Sequence, residues 1–107
     1  MRVCVPVTAD GKVDPRWGRA SRVAVADVAD GGIRDWQEFA VDWDVLHDQG
    51  TEGAHHARIA RFLRDNQVQA IAAAHPGPGK QRMLSAMAIR VVTGMGGDAR
   101  SAARAAG

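Results

Sequence analysis

Residues 68–93 read VQAIAAAHPGPGKQRMLSAMAIRVVT. Residues 68–74 form a short apolar run of strand length, and HPGPG over residues 75–79 breaks it. Residues 80–87 read as a helix, and AIRVVT over residues 88–93 as a second buried strand. A strand, a helix and a strand joined this tightly predict a parallel pair with a right-handed crossover. This unit places the chain among α/β proteins.

Upstream, residues 2–8 (RVCVPVT) alternate and are β-branched, which predicts a first strand. Pro6 lacks an amide donor, so it belongs near the end of that strand or at a bulge. Residues 22–28 (RVAVADV) form the second strand, and Asp30-Gly31-Gly32 a tight hairpin turn. Residues 33–41 (IRDWQEFAV) form the third, with Ile33, Asp35, Gln37 and Phe39 on one parity and Trp36 and Glu38 on the other. Residues 13–21 and 42–52 read as loops. A helix is predicted over residues 53–66 with Thr51 as N-cap and Ile59, Phe62 and Leu63 on its apolar face. Residues 94–97 (GMGG) end the last strand, and Asp98 caps an alanine-rich helix to about residue 105. The predicted order is β-β-β-α-β-α-β-α: a mixed five-stranded sheet with helices packed on it, in one domain over residues 1–107.

The composition is 46% hydrophobic and 24% charged, as in globular proteins. No apolar run approaches the roughly 20 residues that cross a bilayer. The single cysteine, Cys4, allows no intrachain disulfide and no Cys-x-x-Cys metal site, which fits a reducing cytoplasm. Twelve arginines and two lysines give a net charge of only +2 and are dispersed, not the concentrated face that nucleic acid requires.

Strands one, three, four and five are predicted to run the same way, so their carboxyl ends share one rim. Ligands of open α/β sheets bind outside those ends. All four histidines, His47, His55, His56 and His75, fall on that rim. His55 and His56 are neighbours about 100° apart on a helix, so they do not chelate one ion as an i, i+4 pair would. A metal there requires one of them with His47 or His75. The segments PGPGK and GMGG precede helices whose free amides attract anions, although Pro76 and Pro78 remove two donors. Neither matches a phosphate-binding fingerprint.

No G-x-S-x-G elbow or recognisable serine arrangement is present. Asp10, Asp42, Asp44, Asp48 and Glu52 gather on the same rim, a set that could hold a hard cation for hydrolysis.

The opening RVCVPVTADGKV, the segment DPRWGRASRVAVADV, the helix EGAHHARIARFL, and IAAAHPGPG followed by IRVVTG resemble the dinitrogenase iron-molybdenum cofactor biosynthesis family, the nitrogenase accessory factors. Most specific are Pro15 with Trp17-Gly18-Arg19, similar to that family's P-x-F-G-R-A segment, and the Gly77-Pro78 turn. The resemblance implies a ribonuclease-H-like sheet and a carrier or chaperone of iron-sulfur or iron-molybdenum cluster precursors. It also makes His47 the match to a ligand histidine in the loop before the first helix. Arg16 stands where many members have histidine, and the nitrogenase-associated cysteine motifs are absent.

The reading is therefore a small cytoplasmic, non-enzymatic metal or metal-cluster carrier. The expected metal residues are His47, His55, His56 and His75, with Arg16, Arg19, Gly77 and Gly79 on an anionic cluster. Its expected partners are cluster donor and acceptor proteins. The alternatives are a metal-dependent nuclease or phosphatase using the rim carboxylates, and a partner-binding module without catalysis.

Overall fold

Val3, Cys4 and Val5 are fully buried, so the first strand is covered on both faces and must lie inside a sheet. It does. The computed structural model describes the backbone of residues 1–107 and all side chains except that of Pro78. Its sheet has the strand order β3-β2-β1-β4-β5, with β1 (Arg2–Pro6), β2 (Arg22–Ala29), β3 (Gly32–Ala40), β4 (Ala70–Ala72) and β5 (Arg90–Val92). β2 is antiparallel to both neighbours, whereas β1, β4 and β5 are parallel. The mixed sheet predicted from the sequence is present, and so is the common rim for the carboxyl ends of β1, β3, β4 and β5. Pro6 is the last residue of β1, where its missing donor costs nothing, and its carbonyl accepts from the Asp14 amide at 2.9 Å.

Helices cover both faces. On one lie α2 (Glu52–Asp65) and α3 (Pro78–Ala86), with Ile59, Leu63 and Leu84 buried against Val23, Val25 and Ile71. Burial of each such side chain is worth about 1.5–3 kcal/mol. On the other lies α4 (Ala99–Ala106), whose Ala99, Ala102, Ala103 and Ala106 pack on Val3, Val5 and Ala26. The predicted caps are present: Thr51 accepts from the Ala54 amide at 3.0 Å, and Asp98 from the Ser101 amide at 2.9 Å.

Three features differ from the sequence-based expectation. The register of β2 and β3 shifts between Asp27 and Val28, so Arg34 is the extra residue of a bulge. Ile33 consequently packs in the same core as Trp36, while Phe39 joins the other one. The loop over residues 42–52 contains a one-turn helix, α1 (Trp43–Leu46), and the loop over residues 13–21 contains a 3-10 turn, Trp17–Arg19. Both bring a tryptophan into the core. Trp17 and Trp43 meet edge to face at 5.4 Å, and Trp43 meets Phe62 of α2 at 5.7 Å. No described helix is long and apolar enough to cross a membrane.

Candidate functional site

The aromatic contacts hold the 3-10 turn and α1 against α2 through Phe62, and His55 fastens the 3-10 turn nearer the helix start. His55 is 1% exposed. Its Nε2 lies 2.8 Å from the Gly18 carbonyl oxygen, and its Nδ1 lies 2.7 Å from Nη1 of Arg58. A guanidinium only donates, so Nδ1 accepts and the proton sits on Nε2, which donates to Gly18. Both ring nitrogens are thus engaged. Burial lowers the pKa of His55, the Gly18 bond opposes this, and the neighbouring His47, Arg58 and Lys80 lower it further. This imidazole is neutral and holds the backbone. It has no free nitrogen for a metal in this arrangement.

The other histidines are placed differently. His47 stacks edge to face on His55 at 5.1 Å, with Nδ1 3.3 Å from Asp48. His56 points its Nε2 into the seam between α2 and α3. That atom is shielded from solvent and has no hydrogen-bond partner. The nearest carboxylate oxygen, on Glu52, is 3.7 Å away, beyond hydrogen-bond range. The His56 ring packs against Gly79, where a Cβ would lie 3.7 Å from Cε1. His75 lies exposed at the end of β4. It lines a depression of about 360 Å³ with Gly77, Gln81 and Thr93, and no other histidine lines it. Of the four histidines, the fold brings His47 onto His55, turns the neighbouring His56 toward Gly79, and leaves His75 apart.

Positive charge converges on the same seam. The Lys80 side chain lies across Gly18, so that a Cβ added to Gly18 would overlap Cε of Lys80. Lys80 and Gly79 belong to the first turn of α3, and His55 and His56 to the second turn of α2. The partial positive ends of both helices thus meet here. Arg19 is exposed on the 3-10 turn. Arg16, expected beside it, is partly committed: its Nε and Nη2 donate to Asp14 at 3.1 and 3.0 Å. Burial works against the Asp14 carboxylate, yet the side chain and amide of Arg16 hold its pKa below the ordinary range.

The fold does not assemble the rim carboxylates. Asp10 bonds Thr8, the Asp42 carboxylate makes no cap bond at the start of α1, and Asp42, Asp44, Asp48 and Glu52 are exposed. Among the described residues no group of three His, Cys, Asp or Glu side chains could hold a metal ion. Cys4 is fully buried in mid-sheet, and burial pushes its thiol far above the range in which thiolate forms.

The family model described as dinitrogenase iron-molybdenum cofactor matches residues 1–107. The chain belongs to that family. No curated protein matches it. Among solved structures, the crystal structure of PH0822 superposes with a TM-score of 0.73 at 20% identity, over 95% of this chain and 84% of that one. The apo form of the orange protein from Desulfovibrio gigas gives 0.70 at 23% identity, over 94% and 80%. An NMR structure of a NifB-like protein of the DUF35 family from Thermotoga gives 0.63 at 23% identity, over 94% and 82%. At these identities the likeness establishes the fold.

Membership of the dinitrogenase iron-molybdenum cofactor family makes this a small protein related to metallocluster chemistry. Sequence reasoning missed two residues of the seam. Arg58 lies off the apolar face of Ile59, Phe62 and Leu63 in the helical pattern, and Lys80 ends the glycine turn PGPGK. The i, i+3 spacing of His55 and Arg58 was a signal available for the first. Nothing in the sequence points Lys80 at Gly18.

Proposed function

We propose that the protein is a cytoplasmic carrier of an anionic metal cluster or cluster precursor, held at the seam between the starts of α2 and α3. The observation that carries the reading is the His56 Nε2, a potential metal ligand shut away from water without a partner. Leaving such an atom unsatisfied costs about 1–3 kcal/mol, and coordination to a soft metal recovers it. His47 is the second imidazole. Lys80, Arg19 and the two helix ends supply positive charge, with Arg16, Gly77 and Gly79 behind them. His55 holds this wall in place, and His75 stands outside it.

The donor set favours a cluster over a bare ion. A structural zinc site takes about four N, O or S ligands, whereas one or two imidazoles amid cations suit a cargo bearing negative charge and its own sulfides. Such holding is incomplete by design: a partner supplying stronger ligands removes the cargo. This fits exchange with cluster donor and acceptor proteins. Membership of the iron-molybdenum cofactor family supports the same cargo class. We also read the sheet order as ribonuclease-H-like, without nuclease activity, because fold does not give function.

The test is anaerobic equilibrium dialysis against a synthetic anionic iron–sulfide cluster. Wild type retains the cluster, and His56→Ala combined with His47→Ala weakens retention about tenfold or more, the equivalent of 1.4 kcal/mol. Wild type that retains nothing refutes the reading.

A further inference from the structure

Away from the seam, α2 presents a second feature. Ala54, Ala57, Arg58, Arg61, Phe62 and Asp65 line a groove of about 530 Å³ on its outer side. The floor is apolar, made by two alanines and Phe62. Phe62 meets Phe39 at 5.3 Å and Trp43 at 5.7 Å, so it is held inside a row of rings that runs from Phe39 through Phe62 and Trp43 to Trp17. The rim carries two guanidiniums. Nη1 of Arg58 is tied to His55 and to the Leu46 carbonyl, which fixes this side chain while its other N–H groups remain. Among the described residues no ion pair involves Arg58 or Arg61. Val45 on the adjoining α1 is 56% exposed, one of two large apolar side chains so displayed among the described residues.

We propose that this groove docks an acidic amphipathic helix of a partner protein. All six lining residues come from one helix, so the groove is open along its length. A small ligand would remain largely in water there, whereas small-molecule sites bury about 70–90% of their ligand. α2 has 14 residues, about 21 Å at 1.5 Å per residue, which matches a helix laid along it. Alanines at 54 and 57 permit close approach, Phe62 offers the apolar anchor, and Arg58 and Arg61 select carboxylates. A second copy of this chain fits poorly, because the groove holds two guanidiniums and one carboxylate and a copy brings the same excess. The inference rests on the geometry of α2 and holds whatever the cargo. It also places the partner on Arg58, the residue that holds His55, so a docked partner touches the wall of the seam.

The test uses the full chain and a fluorescein-labelled helical peptide with leucines at i, i+3, i+4 and i+7 and glutamates elsewhere. A lysine version of the same peptide is the control. The glutamate peptide binds, salt weakens it, and amide shifts in labelled protein centre on Ala54, Ala57 and Arg61. Arg61→Glu, at an exposed position, weakens the glutamate peptide about tenfold or more and strengthens the lysine peptide, since like charges brought together repel. Equal binding of both peptides, no binding, or shifts centred elsewhere overturns the proposal. So does sedimentation showing a wild-type dimer that Arg61→Glu dissociates, which assigns the groove to a second copy.

Discussion

His55 donates from Nε2 to the Gly18 carbonyl oxygen at 2.8 Å, joining two residues 37 positions apart. The bond converts a histidine on a suspected ligand face into the fastening between the 3-10 turn and α2. It is buried, and its other nitrogen is occupied by Arg58.

This arrangement predicts a specific acid sensitivity. The pKa of His55 is lowered in the fold from an ordinary value near 6.5. As pH falls below that value, the unfolded chain takes up the proton first, so stability falls with pH until the folded pKa is reached. The slope is at most about 1.4 kcal/mol per pH unit. Urea denaturation of wild type between pH 8 and pH 5 shows this loss, and His55→Gln flattens it in that window. At pH 8, His55→Gln also costs about 1–3 kcal/mol through the disrupted buried bonds.

Gly18→Ala separates charge from stability. Its Cβ would collide only with the flexible end of Lys80, which can swing away. Stability therefore changes by less than about 1 kcal/mol, while the ammonium leaves the seam. Cluster retention falls, and chemical denaturation reports a midpoint close to wild type. A large drop in stability instead shows that Lys80 cannot move.

Arg16→Ala leaves the Asp14 carboxylate, 2% exposed, without its guanidinium. The loss is expected to be about 1–3 kcal/mol, moderated because Arg16 itself is 57% exposed. The stability Asp14 contributes is present above the ordinary carboxylate pKa and fades as pH falls through its lowered folded value. Arg16→Ala therefore narrows the stability gap to wild type at low pH, which thermal melts at pH 7 and pH 3 measure.

Much of this fold was legible because its signals are local. The alternation of residues 2–8, the Asp30-Gly31-Gly32 turn, the Thr51 and Asp98 caps and the HPGPG break each act over a few residues, and each is found where expected. The bulge at Arg34 was not legible, since a register shift depends on the facing strand. The burial of Trp17 and Trp43 likewise depends on rings meeting from separate segments. At the site, position on the rim could be read from topology. The roles could not. His55 and His56 are neighbours of the same type, yet one is saturated with hydrogen bonds and the other has an orphaned nitrogen. That difference is set by Gly18, Arg58 and Gly79, which the chain brings in from three places.

The most direct measurement is pulsed electron–nuclear double resonance on protein labelled with nitrogen-15 histidine and loaded anaerobically with a paramagnetic iron–sulfide cluster. An imidazole nitrogen coupling that disappears in His56→Ala and persists in His75→Ala is the expected result. A loaded cluster with no histidine coupling, or one whose coupling survives His56→Ala unchanged, contradicts the seam as the cargo site.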